Sequence, residues 1–133
     1  MTGKLRTLSG LHQRIVSLRE ERKRLEDSLF RPKKMIRASL SFILGYCGKE
    51  DCRCKRGQPH GPYPYLSERY QGRTRVTYVK KKDLARIGKE VTEYVRIQKG
   101  LAHLTKINSE IRSLLQTIRD LNLRTVDQVR EKQ

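Results

Sequence analysis

Cys47-Gly-Lys-Glu-Asp-Cys52-Arg-Cys54-Lys-Arg-Gly-Gln-Pro-His60-Gly-Pro-Tyr63 holds all three cysteines and one of the three histidines of a 133-residue chain. The spacing is C-x4-C-x-C-x5-H, closed by a Gly-Pro turn. Thiolate and imidazole are the side chains that a structural Zn²⁺ takes in fours. Lys49, Arg53, Lys55 and Arg56 lie among them, and neighbouring cations favour the deprotonated thiol. The expected ligands are Cys47, Cys52, Cys54 and His60, with Zn²⁺ supplying folding energy that so polar a loop lacks. The spacings of four and one depart from the paired C-x2-C knuckle. Two other readings stay open: free cysteines packed as small apolar residues, and a nucleophilic cysteine with His60 as its base. An odd cysteine count argues against a disulfide framework and for a reducing cytoplasm.

Downstream of the loop, residues 63–70 and 73–79 are rich in aromatic and β-branched side chains, and only Gln71-Gly72 separates them. That arrangement predicts a β-hairpin. Alternation places Arg73, Arg75 and Thr77 on one side of the second run and Thr74, Val76 and Tyr78 on the other. One sheet face is thus expected to be basic and polar, the other more apolar. Upstream, residues 36–44 read as a strand entering the cysteine loop.

Helical periodicity flanks this head. Over residues 4–30 the apolar positions Leu8, Leu11, Ile15, Leu18, Leu25 and Leu29 alternate by three and four once Arg22 fills the gap. Pro32 ends that helix. Residues 83–130 read as one helix capped by Asp83, about 48 residues and roughly 72 Å long. Its seam runs Ile87, Tyr94, Ile97, Leu101, Leu104, Asn108, Ile111, Leu115, Ile118, Asn122. Placing Leu101 and Leu115 at a puts Asn108 and Asn122 at a as well, where a buried Asn fixes register and favours dimers. Gly88 and Gly100 each weaken the helix by roughly 1 kcal/mol relative to Ala. His12 and His103 fall off the seams, at expected surface positions.

The chain carries 31 Lys and Arg against 14 Asp and Glu, a formal charge of +17. Residues 31–89 alone hold 16 of those cations and 4 of the acids, a net +12. Such a concentration implies a polyanionic partner. The expected phosphate contacts are Lys33, Lys34, Arg37, Arg53, Lys55, Arg56, Arg73, Arg75, Lys80, Lys81 and Lys82. Tyr63, Tyr65, Tyr70 and Tyr78 interleave with these charges. At least two of them are expected in a small core, although aromatics beside cations also stack bases. With 35% hydrophobic residues and no Trp, a large core is not expected. No apolar stretch is long enough to span a bilayer and no secretion signal is read at the N-terminus.

The stretch Cys47-Gly-Lys49, Cys52-Arg-Cys54, Gly57, His60-Gly-Pro-Tyr63, Tyr65-Leu-Ser67 and Tyr78-Val79 resembles a family of small prokaryotic proteins of uncharacterised role. Their shared motif is C-G-K-x-x-C-R-C-x-x-G-x-x-H-G-P-Y-x-Y-L-S. The resemblance covers the head and the start of the last helix. It implies a CCCH-type metal knuckle and a basic hairpin carried on helices.

The expected fold is therefore α+β and mainly helical, with two long coiled-coil helices flanking a small zinc-knuckle and β-hairpin head. The divisions fall at residues 1–31, 32–82 and 83–133. The expected function is zinc-stabilised nucleic-acid binding by a homodimer. DNA is favoured over RNA because paired heads suit a duplex. The protein is placed in the cytoplasm, where nucleoid association would suit its charge. The alternative is a coiled-coil adaptor for a protein or nucleoprotein partner. No membrane and no small-molecule substrate is expected. No carboxylate pair, phosphate-cradling loop or nuclease metal cluster is read, so no enzyme is expected.

Overall fold

In the computed structural model, which describes residues 7–131, the chain forms helix α1 (Leu8–Leu29), strands β1 (Ser39–Gly45), β2 (His60–Tyr70) and β3 (Arg73–Tyr78), and helices α2 (Leu84–Leu121) and α3 (Val126–Glu131). Residues 4–6 of the expected first helix lie outside the described residues. The chain divides into two compact units, one comprising residues up to 31 and from 99 onward, the other Pro32–Gln98. No helix among the described residues is long and apolar enough to cross a membrane.

In the first unit, α1 begins at Thr7, whose hydroxyl accepts the Gly10 N–H at 3.0 Å, an N-cap that satisfies one otherwise orphaned donor. α1 then packs against the second half of α2. Arg14 pairs with Glu110 and Glu21 with His103, both at 2.8 Å, while Leu29 sits against Gly100. Partners descend along α2 as they ascend along α1, so the helices are antiparallel. Leu18, Ile107 and Ile111 form the buried centre, with Leu25 and Leu114 packed on it.

The seam of α2 differs from the expected one. Its inward positions are Gly100, Leu104, Ile107, Ile111, Leu114 and Ile118. Leu104, Ile111 and Ile118 fall on the expected row, but the alternate row is displaced by one residue. Leu101 and Leu115 are 46% and 53% exposed, and Asn108 is exposed, accepting from the Arg22 guanidinium at 3.2 Å. An Asn amide turned into the apolar seam would need a partner there; Ile107 needs none. His103 lies on the surface as expected, but against the Glu21 carboxylate.

The last helix is also shorter than expected. α2 ends at Leu121, where Asn122 and Leu123 turn back their N–H groups to Arg119 and Asp120. A new helix then starts at Thr125, whose hydroxyl accepts the Gln128 N–H while the Gln128 amide oxygen accepts the Thr125 N–H. That reciprocal pair is a capping box, and the Thr125-Val-Asp-Gln128 sequence carries its signature.

In the second unit the strands form one antiparallel sheet in the order β1-β2-β3. β2 and β3 are joined by Gln71-Gly72, both at positive φ (51° and 78°), as a tight hairpin turn requires. Directly opposed residues share a face. One face therefore carries Leu40, Pro64, Leu66, Glu68, Arg73, Arg75 and Thr77; the other carries Ile43, Tyr63, Tyr65, Ser67, Arg69, Thr74, Val76 and Tyr78. Leu40 lies against Gly88 of α2, so the helix covers the first face. The side of β3 expected to be apolar instead stands open, and all six β3 residues are exposed. The segment before β1 is tied to α2 by the Ile36 N–H on the Glu90 carbonyl and by the Lys33 N–H on the Glu93 carboxylate at 2.8 Å. At the α2 entrance Asp83 closes a 3₁₀ turn (Lys81–Asp83), and its carboxylate meets Arg86 at 3.1 Å.

Candidate metal centre

β1 delivers the chain to Cys47, and β2 starts at His60, paired with Gly45. The loop between them is folded by main-chain bonds: the Cys52 N–H reaches the Lys49 carbonyl and the Lys55 N–H the Cys52 carbonyl. A 3₁₀ turn over Arg53–Arg56 follows and ends at Gly57, with φ 88°. Gly61, with φ 100°, lies so tightly that a Cβ would stand 2.8 Å from the Tyr63 nitrogen and 3.0 Å from the Ile43 carbonyl. Only glycine allows the chain to turn there from His60 into the ladder.

These turns gather Cys47, Cys52, Cys54 and His60 so that their ligating atoms all lie within 4.8 Å of one another. The Cys47 and Cys54 sulfurs are 3.6 Å apart, and the Cys52 sulfur is 2.9 Å from His60 Nε2. The Cys47 N–H points at the Cys54 sulfur from 3.4 Å. Cys54 is buried, and the other three are half-buried. All three cysteines are free thiols.

The environment treats the thiols unequally. The Cys54 backbone N–H, then hydrogen bonds from Cys47, Cys54 and His60, outweigh burial and draw the Cys52 thiol down to about 6. At Cys47 the Lys49 backbone N–H favours the thiolate, but hydrogen bonds to Cys52 and Cys54 together with burial push the thiol up. The loop thus favours ionisation at Cys52 over Cys47. Three sulfurs and an imidazole nitrogen at this separation can hold a metal ion, and four protein ligands would close its coordination sphere.

The eleven expected phosphate contacts are all exposed. Arg53, Lys55 and Arg56 ride on the 3₁₀ turn within the cysteine loop. Lys33, Lys34 and Arg37 lie on the extended segment before β1, and Lys80, Lys81 and Lys82 follow β3. Arg73 and Arg75 are on β3, and Arg75 is already engaged. It pairs with Glu68 directly opposite on β2 and lies 4.0 Å over the Tyr70 ring. Its charge is therefore largely answered within the sheet. Among the described residues it is alone of the eleven in having an ion pair.

Two features escaped the sequence reading. Lys33 and Lys34 face Arg86 and Lys89 across a groove of about 870 Å³; Arg86 and Lys89 are three apart on α2, a helical spacing that could have been noticed. The second is Glu93, 8% exposed, whose carboxylate takes both arms of the Arg96 guanidinium at 2.7 and 3.0 Å. Those bonds, then the Lys33 N–H, draw its carboxyl down to about 2.

No curated protein and no solved structure matches the chain. A family model does match, over α1, the cysteine loop, the sheet and the opening of α2: the chain belongs to DUF6788, a domain of unknown function, through residues 11–89.

Proposed function

We propose that this protein is a zinc-stabilised nucleic-acid-binding protein whose metal centre is structural. The observation that carries the reading is the union of two things in one loop. Four ligand atoms lie within 4.8 Å, and the turn they hold bears Arg53, Lys55 and Arg56, all exposed. Zinc is the metal of choice for three thiolates and one imidazole at a closed site. A tetrahedron of about 2.3 Å zinc–sulfur bonds has edges near 3.8 Å, and the Cys47–Cys54 separation of 3.6 Å is close to it. Phosphate contacts supply most non-specific affinity for nucleic acid, and residues 31–89 carry the net +12 needed to make them.

The chain is further read as a homodimer, in which the helices extend into a coiled-coil bundle. Leu101, Asn108 and Leu115 recur every seven residues on the exposed side of α2, the interval at which a helix meets a second partner. The lean towards DNA rests solely on paired heads suiting a duplex. The same stripe would serve an adaptor that binds another protein.

The test is binding of zinc-loaded protein to labelled duplex and single-stranded probes across a salt series, with metal measured on the same sample. The expected result is one zinc per chain and an affinity that falls steeply with salt. Absence of binding at low salt, or binding indifferent to salt, sinks the reading. Retention of a protein partner after nuclease treatment would favour the adaptor.

A further inference from the structure

The open face of the sheet is not explained by phosphate contacts. Tyr63 and Tyr65 share it by their spacing along β2, and β3 sets Tyr78 directly opposite Tyr65. The three rings meet edge to face, with centroids 5.7 Å apart for Tyr65–Tyr78 and 6.5 Å for Tyr63–Tyr78. Edge-to-face contact steadies the rings without stacking them face to face. Tyr63 remains 38% exposed and Tyr78 52% exposed, so the expectation that the tyrosines build the head's core holds at most for half-buried Tyr65. A hollow of about 420 Å³ adjoins the cluster, walled by Tyr63 and Tyr78 of this face, by Phe42 and Pro64 of the opposite one, and by Lys81 and Leu84.

We propose that this tyrosine face is a stacking platform for a single-stranded nucleic-acid segment, with Lys81 and its neighbours holding the phosphates. The proposal rests on the nucleic-acid reading above but sets a single strand in place of the duplex as the head's target. An unpaired base has a free π-face for Tyr63 or Tyr78, whereas bases inside a duplex already have both faces stacked. The occupant is argued from charge: Lys81 lines the hollow itself, and Lys80 and Lys82, both exposed, are its neighbours in sequence. An apolar protein surface would leave those ammonium groups unanswered. The metal centre has a part in this arrangement. His60 lies three residues before Tyr63, with the close-packed Gly61 between them, so the loop's geometry sets where the platform begins.

The experiment uses zinc-loaded full-length protein and fluorescently labelled probes of one length, a single strand of thymidylate or uridylate and a random-sequence duplex, at two salt concentrations. Wild type is expected to prefer the single strand. Tyr63→Leu and Tyr78→Leu should each weaken single-strand binding about ten-fold with the salt slope unchanged, because stacking releases no counterions. Tyr78→Phe should bind within about two-fold of wild type, since the ring is kept. Lys81→Gln should reduce the salt slope by about 0.7. Zinc content of each variant confirms that the fold is retained. If leucine and phenylalanine variants bind alike, or the duplex binds as tightly as the single strand, the platform is overturned while nucleic-acid binding stands. If neither probe binds at low salt, both readings fall together.

Discussion

Cys54 is the one member of the cluster removed from solvent, and it also receives the Cys47 N–H. Replacing it with Ala deletes the acceptor of the Cys47 N–H and, on the proposed reading, a metal bond. Loss of groups merely outside a coordination shell costs about 10- to 100-fold in metal affinity. Cys54→Ala is expected to lose more than about 100-fold, read by competition against a chromophoric chelator. Chelating the wild type should lower its melting temperature to that of the variant. Glu93 gives a second residue-scale test. Its folded carboxyl is held near 2 by the Arg96 guanidinium first and the Lys33 N–H second, against an ordinary value near 4.5. A depressed carboxyl stabilises the fold above its unfolded value, and that contribution is lost as pH falls from about 4.5 towards 2. The urea midpoints of wild type and Glu93→Gln should therefore differ above pH 5 and draw together as pH falls towards 2. Acid also strips metal from the thiolates, but equally in both proteins. The grouping of Cys47, Cys52, Cys54 and His60 was legible because cysteine and histidine at short spacing already state their chemistry. Glu93 was not: in a helix rich in charge it looks solvated, and the second of its donors, the Lys33 N–H, comes from 60 residues away in sequence.

Helices expose a different limit of sequence reading. In α2 the neighbours Gly100-Leu101, Ile107-Asn108 and Leu114-Leu115 each offer two ways to satisfy a three–four repeat, and only the partner helix chooses between them. α1 takes Gly100, Ile107 and Leu114, which brings Leu29 close enough that a Cβ on Gly100 would lie 2.5 Å from its Cδ2. The hairpin turn at Gln71-Gly72, by contrast, was legible to the residue, since a two-residue turn between β-rich runs leaves the register no freedom. The two helix glycines consequently have opposite prospects. At Gly88 the nearest atom to a new Cβ is Leu40 Cδ2 at 3.9 Å, an ordinary contact, so Gly88→Ala should gain most of the roughly 1 kcal/mol of helix propensity. At Gly100 the same gain is opposed by overpacking, which costs typically 1–3 kcal/mol. Gly100→Ala is expected to be destabilising by about 1 kcal/mol. Denaturant midpoints of the two variants, measured at equal protein concentration, decide the matter, and a stabilised Gly100→Ala would show that Leu29 has room to turn aside.

For the whole molecule, the sequence displayed the charge plainly, with a net +12 in residues 31–89 out of +17, because charge needs no partner to be counted. The assembly was less legible, since the row of Leu101, Asn108 and Leu115, expected to be buried at a helix seam, is left exposed by the chain's own packing. That exposure makes the proposed dimer testable apart from the fold. Leu101 and Leu115 are 46% and 53% exposed, so replacing both with Lys removes little packing inside the chain, while two ammonium groups per helix would repel a second copy. The double variant is expected to sediment as a monomer at concentrations where wild type is a dimer, and to keep its zinc. Its effect on nucleic acid should depend on probe length. A probe too short to reach two heads should bind variant and wild type alike, since each head is intact. On a probe long enough for both, the dimer's second contact becomes intramolecular, which typically raises affinity by 10² or more. The variant should lose that increment and leave the short-probe affinity unchanged. Equal losses on both probes would instead place Leu101 and Leu115 in the folding of the chain rather than in its pairing.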